Sequence, residues 1–121
     1  MRIIVVGAGK VGYTLAQRLT EEGHEITLIE RIEERREIIQ ANLDILTISG
    51  NGASPKILAE AGVEEAEMLI AVTDSDEVNM IACVAAKQAG VQRTIARVRN
   101  EEYVEDDQLL FRNTLGVDML I

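Results

Sequence analysis

At 121 residues and 47% hydrophobic content, the chain is the size of one domain and holds enough apolar material for one buried core. Only 2% is aromatic, with no Trp and one Phe, so that core must be built from Ile, Leu, Val and Ala, as in α/β folds whose parallel strands are near-continuous aliphatic runs. Twelve basic against 21 acidic residues leave a formal charge of −9, a balance that repels phosphate backbones and anionic lipid surfaces and argues against nucleic acid as a partner.

The single cysteine, Cys83, has no internal disulfide partner. The chain opens directly on Ile3-Ile4-Val5-Val6, with neither a basic leader nor a long apolar stretch. A cytoplasmic location without direct membrane insertion is therefore expected.

In chain order, short aliphatic runs alternate with helical periods, the mark of repeated βα units around a parallel sheet. A first strand is expected over Arg2–Val6. A glycine turn then feeds a helix over Val11–Glu22, closed by Gly23 as a left-handed cap. Glu25–Glu30 reads as the second strand. Over 32–42, Ile32, Ile39 and the following Leu43 share one helical stripe, while Glu33, Glu34, Arg35, Arg36 and Glu37 form a solvated face.

Asp44–Ile48 reads as a third strand, followed by the turn-rich Ser49-Gly50-Asn51-Gly52-Ala53. Ser54 and Pro55 supply a helix cap and first residue, and Gly62 ends that helix. Met68–Val72 is aliphatic throughout and belongs in the middle of the sheet. The helix predicted over Asp76–Ala89 contains Met80-Ile81-Ala82-Cys83-Val84-Ala85-Ala86, apolar all the way round and more than one sheet face can bury. Arg93–Val98 reads as a fifth strand, Asn100 caps a helix reaching to Thr114, and Val117–Ile121 reads as a sixth. The expected architecture is α/β, a Rossmann-type three-layer sandwich with a six-stranded parallel sheet, forming a single domain over residues 1–121.

Gly7-Ala8-Gly9-Lys10-Val11-Gly12 is a Gly-x-Gly-x-x-Gly motif that directly follows a strand and opens a helix, the context that gives it meaning. Gly7 permits the tight turn, Gly9 lets the backbone approach a pyrophosphate, and Gly12 allows close helix–strand packing. The unpaired N–H groups of the helix start would face the anion. Glu30, at the end of the second strand, is placed to accept hydrogen bonds from ribose hydroxyls, and its charge favours NAD(H) over NADP(H).

Ligands of open parallel sheets lie beyond the carboxyl ends of the strands. That rule adds Asn51, Gly52, Thr73, Asp74 and Arg97 as candidates, together with Arg99. Arg31, beside Glu30, is a further candidate, and with Arg35 and Arg36 it is the feature that speaks for a 2′-phosphate, although their charge-paired setting favours surface solvation. Turn chemistry and helix capping account for several of these as well as ligand contact does. Asp74, Asp76 and Glu77 are better explained by capping and dipole stabilisation of a helix start than by metal binding.

A catalytic set is hard to assemble. His24 falls at the opposite end of the sheet, Cys83 lies inside an apolar helix, and neither Tyr13 nor Tyr103 has a lysine four positions on. Hydride transfer would also require a second wall for the substrate. The expectation is a binding domain and not an enzyme; its rival is the cofactor-binding half of an NAD-dependent oxidoreductase.

The glycine motif, Glu30, Gly50-Asn51-Gly52, the run from Ala71 to Met80 and Ile95-Ala96-Arg97-Val98-Arg99 together resemble the N-terminal regulatory domains of the TrkA type, found in potassium-uptake systems and in the wider class of regulators of K⁺ conductance. The resemblance runs from Met1 to Ile121. It implies a site for NAD(H), or for ATP, ADP or AMP, that controls a membrane potassium transporter or channel through a ligand-dependent change of oligomer conformation.

Carried over, it places phosphates at Gly7 to Val11 and the adenosine ribose at Glu30. Thr73 and Asp74 would border the distal part of the ligand, and Arg97 would meet phosphate or a neighbouring group. Asn51 stands where the family commonly has an acidic residue. The resemblance further implies a homodimer and a higher ring, tetramer or octamer, formed through helices matching Asp76–Ala89 and Asn100–Thr114. It also implies a membrane potassium-transporter subunit as partner, and a longer protein of which this chain is a fragment.

Overall fold

A computed structural model of the chain describes residues 1–104 and 119–120. The strands are β1 (Arg2–Val6), β2 (Glu25–Ile29), β3 (Leu46–Ile48), β4 (Met68–Ala71), β5 (Arg93–Ala96) and β6 (Met119–Leu120). The helices are α1 (Lys10–Glu21), α2 (Glu33–Asn42), α3 (Pro55–Glu60), α4 (Asp76–Gln88) and α5 (Glu101–Val104), with a 3-10 turn at Val63–Glu65. The expected helix from Asn100 to Thr114 is described only in its first turn, and the remainder lies outside the described residues.

All strand pairs are parallel, in the order β3-β2-β1-β4-β5-β6. The chain works outward from β1 in one direction and then restarts at β4 on its other side. The switch in strand order therefore falls between β1 and β4, where loops diverge to opposite faces and leave a crevice.

Alternation along β1 divides the core in two. Ile4 and Val6 join Leu58, Leu69, Met80, Ala82, Cys83 and Ala86 on the face covered by α3 and α4. Ile3 and Val5 join Ala16, Ile26, Leu28, Ile39, Ile70 and Val72 on the face covered by α1 and α2. Leu69, Ala71 and Leu28 are fully buried, the condition of strands covered on both faces.

Several expected strands are shorter than their apolar patterns, because pairing continues past the regular ladder as single bonds. Glu30 N–H donates to the Ile48 carbonyl at 3.0 Å, Val72 N–H to Val6 at 2.8 Å and Arg97 N–H to Ala71 at 2.9 Å. β3 starts at Leu46 and not Asp44, its register with β2 running only from Thr27 to Ile29.

The apolar girdle of α4 is less surplus to the fold than its sequence suggests. Met80, Ala82, Cys83 and Ala86 are buried and Val84 and Ala85 half-buried, which leaves Ile81 exposed at 53%. α4 packs over both β4 and β5, which covers most of this girdle. No helix among the described residues is long and apolar enough to cross a membrane.

Candidate nucleotide site

The glycine turn is shaped by two collisions it avoids. Gly7 has φ +105°, and a Cβ there would stand 3.0 Å from the Thr73 nitrogen of the neighbouring strand's loop. A Cβ on Gly12 would run into the Gly7 carbonyl oxygen, so α1 can start this close to β1 only without a side chain. Gly9 differs from both. A Cβ there would meet nothing nearer than the Arg35 guanidinium at 3.5 Å, so the space before it is open except for that mobile-ended side chain.

α1 begins on Gly9 with no side-chain cap and no acidic residue in its first turn. The first N–H groups of a helix have no partner inside it, and here the sequence supplies none from a side chain of the cap residue.

Beyond β1 and β4 lies a cleft of about 380 Å³. Its lining includes Gly7, Glu30, Arg31, Asn51, Gly52, Thr73 and Asp74 of the sequence candidates, together with Val6, Ile29, Ile32, Arg35, Gly50, Ser75 and Val78. Ala8, Gly9, Lys10, Val11 and Gly12 form the adjoining turn and helix start. Arg97 approaches from β5, its Nη2 donating to the Thr73 carbonyl at 2.7 Å, while its Nε is buried without a hydrogen-bond partner.

Glu30 is only 6% exposed. One carboxylate oxygen accepts the Ala8 N–H at 2.7 Å and the other accepts the Ile32 N–H at 3.0 Å. The side chain that sequence spacing assigns to the ribose thus also fixes the glycine turn, with lone pairs to spare on each oxygen.

The charge run after β2 requires a correction, for it is not uniformly a solvated face. Arg36 Nη1 donates to the Glu30 carbonyl at 2.9 Å. Arg35 lies across the cleft, 3.9 Å from Glu30 and 3.8 Å from Asp74. Both are one turn into α2, where the helix brings them back over the end of β2, while Arg31 remains exposed.

Asn79 is the site residue that spacing did not single out. It is fully buried, and its Oδ1 accepts from both the Thr73 N–H and the Thr73 hydroxyl, at 2.9 and 2.7 Å. Its Nδ2 donates to the Thr73 carbonyl at 3.1 Å and the Arg97 carbonyl at 2.8 Å, clamping the ends of β4 and β5 together. A lone polar residue on the buried stripe of α4 was the available signal.

The acidic helix start also divides differently from its expected role. Ser75 is the cap of α4, its hydroxyl accepting from Val78 N–H at 3.2 Å. Asp76 accepts instead from the Arg99 and Asn100 N–H groups at 3.0 and 2.8 Å, holding the loop after β5. Asn51 lines the cleft, but its side-chain oxygen is engaged in its own turn by the Ala53 N–H at 2.9 Å. No group of three or more His, Cys, Asp or Glu suited to a metal ion occurs among the described residues.

Strand order, glycine turn and crevice together define a doubly wound, Rossmann-type α/β domain whose crevice is bounded by a buried carboxylate and several guanidiniums. The chain belongs to the TrkA-N domain family, whose model matches residues 3–121. It is similar to the Trk system potassium uptake protein TrkA homolog of Archaeoglobus fulgidus, with 45% identity over 121 residues, covering 100% of this chain and 27% of that protein. Identity to the Trk system potassium uptake protein TrkA of Haemophilus influenzae is 40% over 123 residues, with the same coverages of 100% and 27%. The chain thus spans about a quarter of the length of these relatives.

Among solved structures, the TrkA-N domain of the inner membrane protein ybaL from Escherichia coli superposes with a TM-score of 0.83 at 21% identity, covering 99% of this chain and 85% of that one. The GsuK channel bound to NAD matches with a TM-score of 0.79 at 19% identity, covering 99% of this chain and 21% of that one. Both share the fold.

Proposed function

We propose that this chain is the nucleotide-sensing domain, one folded unit over residues 1–121, of a regulator that controls a membrane potassium transporter. Its ligand is an adenine nucleotide, NAD(H) foremost, with ATP, ADP or AMP able to use the same site. The observation that carries this reading is the α1 start: no side chain caps it, the space before Gly9 is open, and Glu30 stands buried beside it with both oxygens ordered by main-chain donors. Such a helix end takes an anion, and an ordered carboxylate one strand away takes the ribose hydroxyls.

Gly7 to Val11 would hold the phosphates and Glu30 the adenosine ribose. Arg31, Asn51, Gly52, Thr73, Asp74 and Arg97 would border the remainder of the ligand. The described cleft is lined by aliphatic side chains, main chain, carboxylates, guanidiniums, one amide and hydroxyls, a mixture suited to holding a nucleotide. The family's potassium-uptake relatives and the NAD-bound GsuK channel support the ligand class and the transporter partner.

Regulation follows if the nucleotide binds two arrangements of a homo-oligomeric ring with different affinities, because only differential affinity shifts a conformational equilibrium. The regulator would work at the cytoplasmic face of the membrane through its partner.

Titration with NAD⁺, NADH, ATP, ADP and AMP tests the site. Glu30→Ala should weaken binding by about 1.5–3 kcal/mol, the value of a charge-assisted hydrogen bond. Unchanged affinity in a folded variant removes Glu30 from the site. Potassium flux through the complete regulator and transporter, with and without saturating nucleotide, tests the regulation. Consumption of NADH in the presence of carbonyl compounds would instead establish an oxidoreductase.

A further inference from the structure

Asp74 stands just beyond β4 with its side chain 74% exposed, yet three guanidiniums converge on it from both sides of the cleft. Arg35 Nη2 comes from α2 at 3.8 Å, Arg97 Nη2 from the end of β5 at 3.4 Å, and Arg99 Nη2 from the next loop at 4.0 Å. The same Arg35 guanidinium lies 3.9 Å from Glu30 and directly before the open face of Gly9. One carboxylate therefore gathers three like charges that would otherwise repel one another, and keeps one of them parked where the uncapped helix start faces.

We infer that Asp74 is a resident competitor for the ligand's phosphates, and that Arg35 is the residue exchanged between them. The inference rests on the nucleotide reading of the cleft and assigns it a selectivity: affinity rises with the phosphate charge the ligand carries.

A single exposed carboxylate makes ion pairs at 3.4 to 4.0 Å, too long for well-formed charge-assisted hydrogen bonds and weakened by solvent. A diphosphate brings more charge and paired oxygens that match the guanidinium fork, so it can take Arg35 from Asp74. A neutral nucleoside offers the guanidiniums nothing in exchange and leaves the cluster as it stands. Asp74 thereby sets how much charge a ligand must bring.

The test is titration of the protein with ADP and with adenosine, in the wild type and in the near-isosteric Asp74→Asn and Arg35→Gln variants. Asp74→Asn should tighten ADP binding by about two- to fivefold, the range of an exposed ion pair, and leave adenosine unchanged. Arg35→Gln should weaken ADP by a similar factor, again without moving adenosine.

Unchanged or weaker ADP binding in Asp74→Asn overturns the inference, as does an equal shift for adenosine, which would mean that the side chain acts through shape and not charge. Either result, with ADP still bound, leaves the nucleotide site itself standing. Failure of the wild type to bind ADP overturns the inference, and failure to bind NADH as well overturns the nucleotide reading with it.

Discussion

The helices α1 and α4 leave the same edge of the sheet from the adjacent strands β1 and β4, yet they begin in opposite ways. α4 carries its own cap, the Ser75 hydroxyl on Val78 N–H at 3.2 Å, followed by Asp76 and Glu77 in its first turn. α1 starts on Gly9 with no side-chain cap and no acid in its first turn. α4 is complete within the chain, since its terminus is satisfied by groups the sequence supplies. α1 has no such cap, so its positive end is left to solvent or to the anion proposed above.

The strongest way to break this contrast is to give α1 the start that α4 has. Gly9→Asp should be accommodated, because Gly9 is extended at φ −71°, ψ −165° and its Cβ would meet only Arg35, at 3.5 Å. The new carboxylate would cap α1 and occupy the phosphate position. Nucleotide affinity should fall by several kcal/mol through like-charge juxtaposition, while thermal stability holds or rises slightly. Wild-type affinity in this variant, measured by calorimetry, would place the phosphates elsewhere.

Next in size is the clamp that keeps the α4 side closed. Asn79→Leu leaves the Thr73 N–H and the Thr73 and Arg97 carbonyls without their buried partner. A loss of about 2–3 kcal/mol is expected, read as a lower denaturant midpoint at unchanged slope. Ser75→Ala should cost about 1 kcal/mol by the same measurement, the ordinary value of a cap. A loss well below that would mean that the acids of the first turn suffice, and the contrast with α1 would weaken.

The smallest effect concerns the far end of the same surface. A hydrogen bond to the Glu77 carboxylate, and then its charge, hold the Tyr103 phenol above its ordinary value, with smaller contributions from burial and from Asp76 and Glu102. A raised folded value favours the protonated phenol. The resulting stability is present below the ordinary value of about 10 and is lost as pH rises through the folded one. Tyr103→Phe should lower stability slightly at neutral pH, where the hydrogen bond to Glu77 is lost, and remove this alkaline limb from a plot of stability against pH. An identical alkaline limb in both proteins would break the link.

Much of the site was legible in the sequence because its parts sit at fixed distances along one βα unit. A strand, a turn with Gly7 and Gly12, a helix and an acidic strand end follow from local sterics and periodicity, and all four are found where spacing puts them. Arg35 was harder to read. Helical periodicity sets it among charged neighbours, and only the angle of α2 over the end of β2 turns it toward Glu30 and Asp74. Asp76 reads from the sequence as a capping or dipole-stabilising acid; it does sit in the first turn of α4, but its carboxylate also holds the loop after β5, 23 and 24 residues away.

By itself, then, the sequence determined the alternation of strands and helices, the parallel sheet, the glycine turn and the acid at the end of the second strand, all of which depend on backbone sterics and on the period of apolar residues. Tertiary structure alone decided what faces what across the switch between β1 and β4. There Asn79 joins two strand ends, and one exposed carboxylate gathers guanidiniums from α2, β5 and the loop beyond. The physical reason is that hydrogen bonds and ion pairs depend on separation in space, and residues 18 to 39 positions apart become neighbours only after the sheet has ordered its strands.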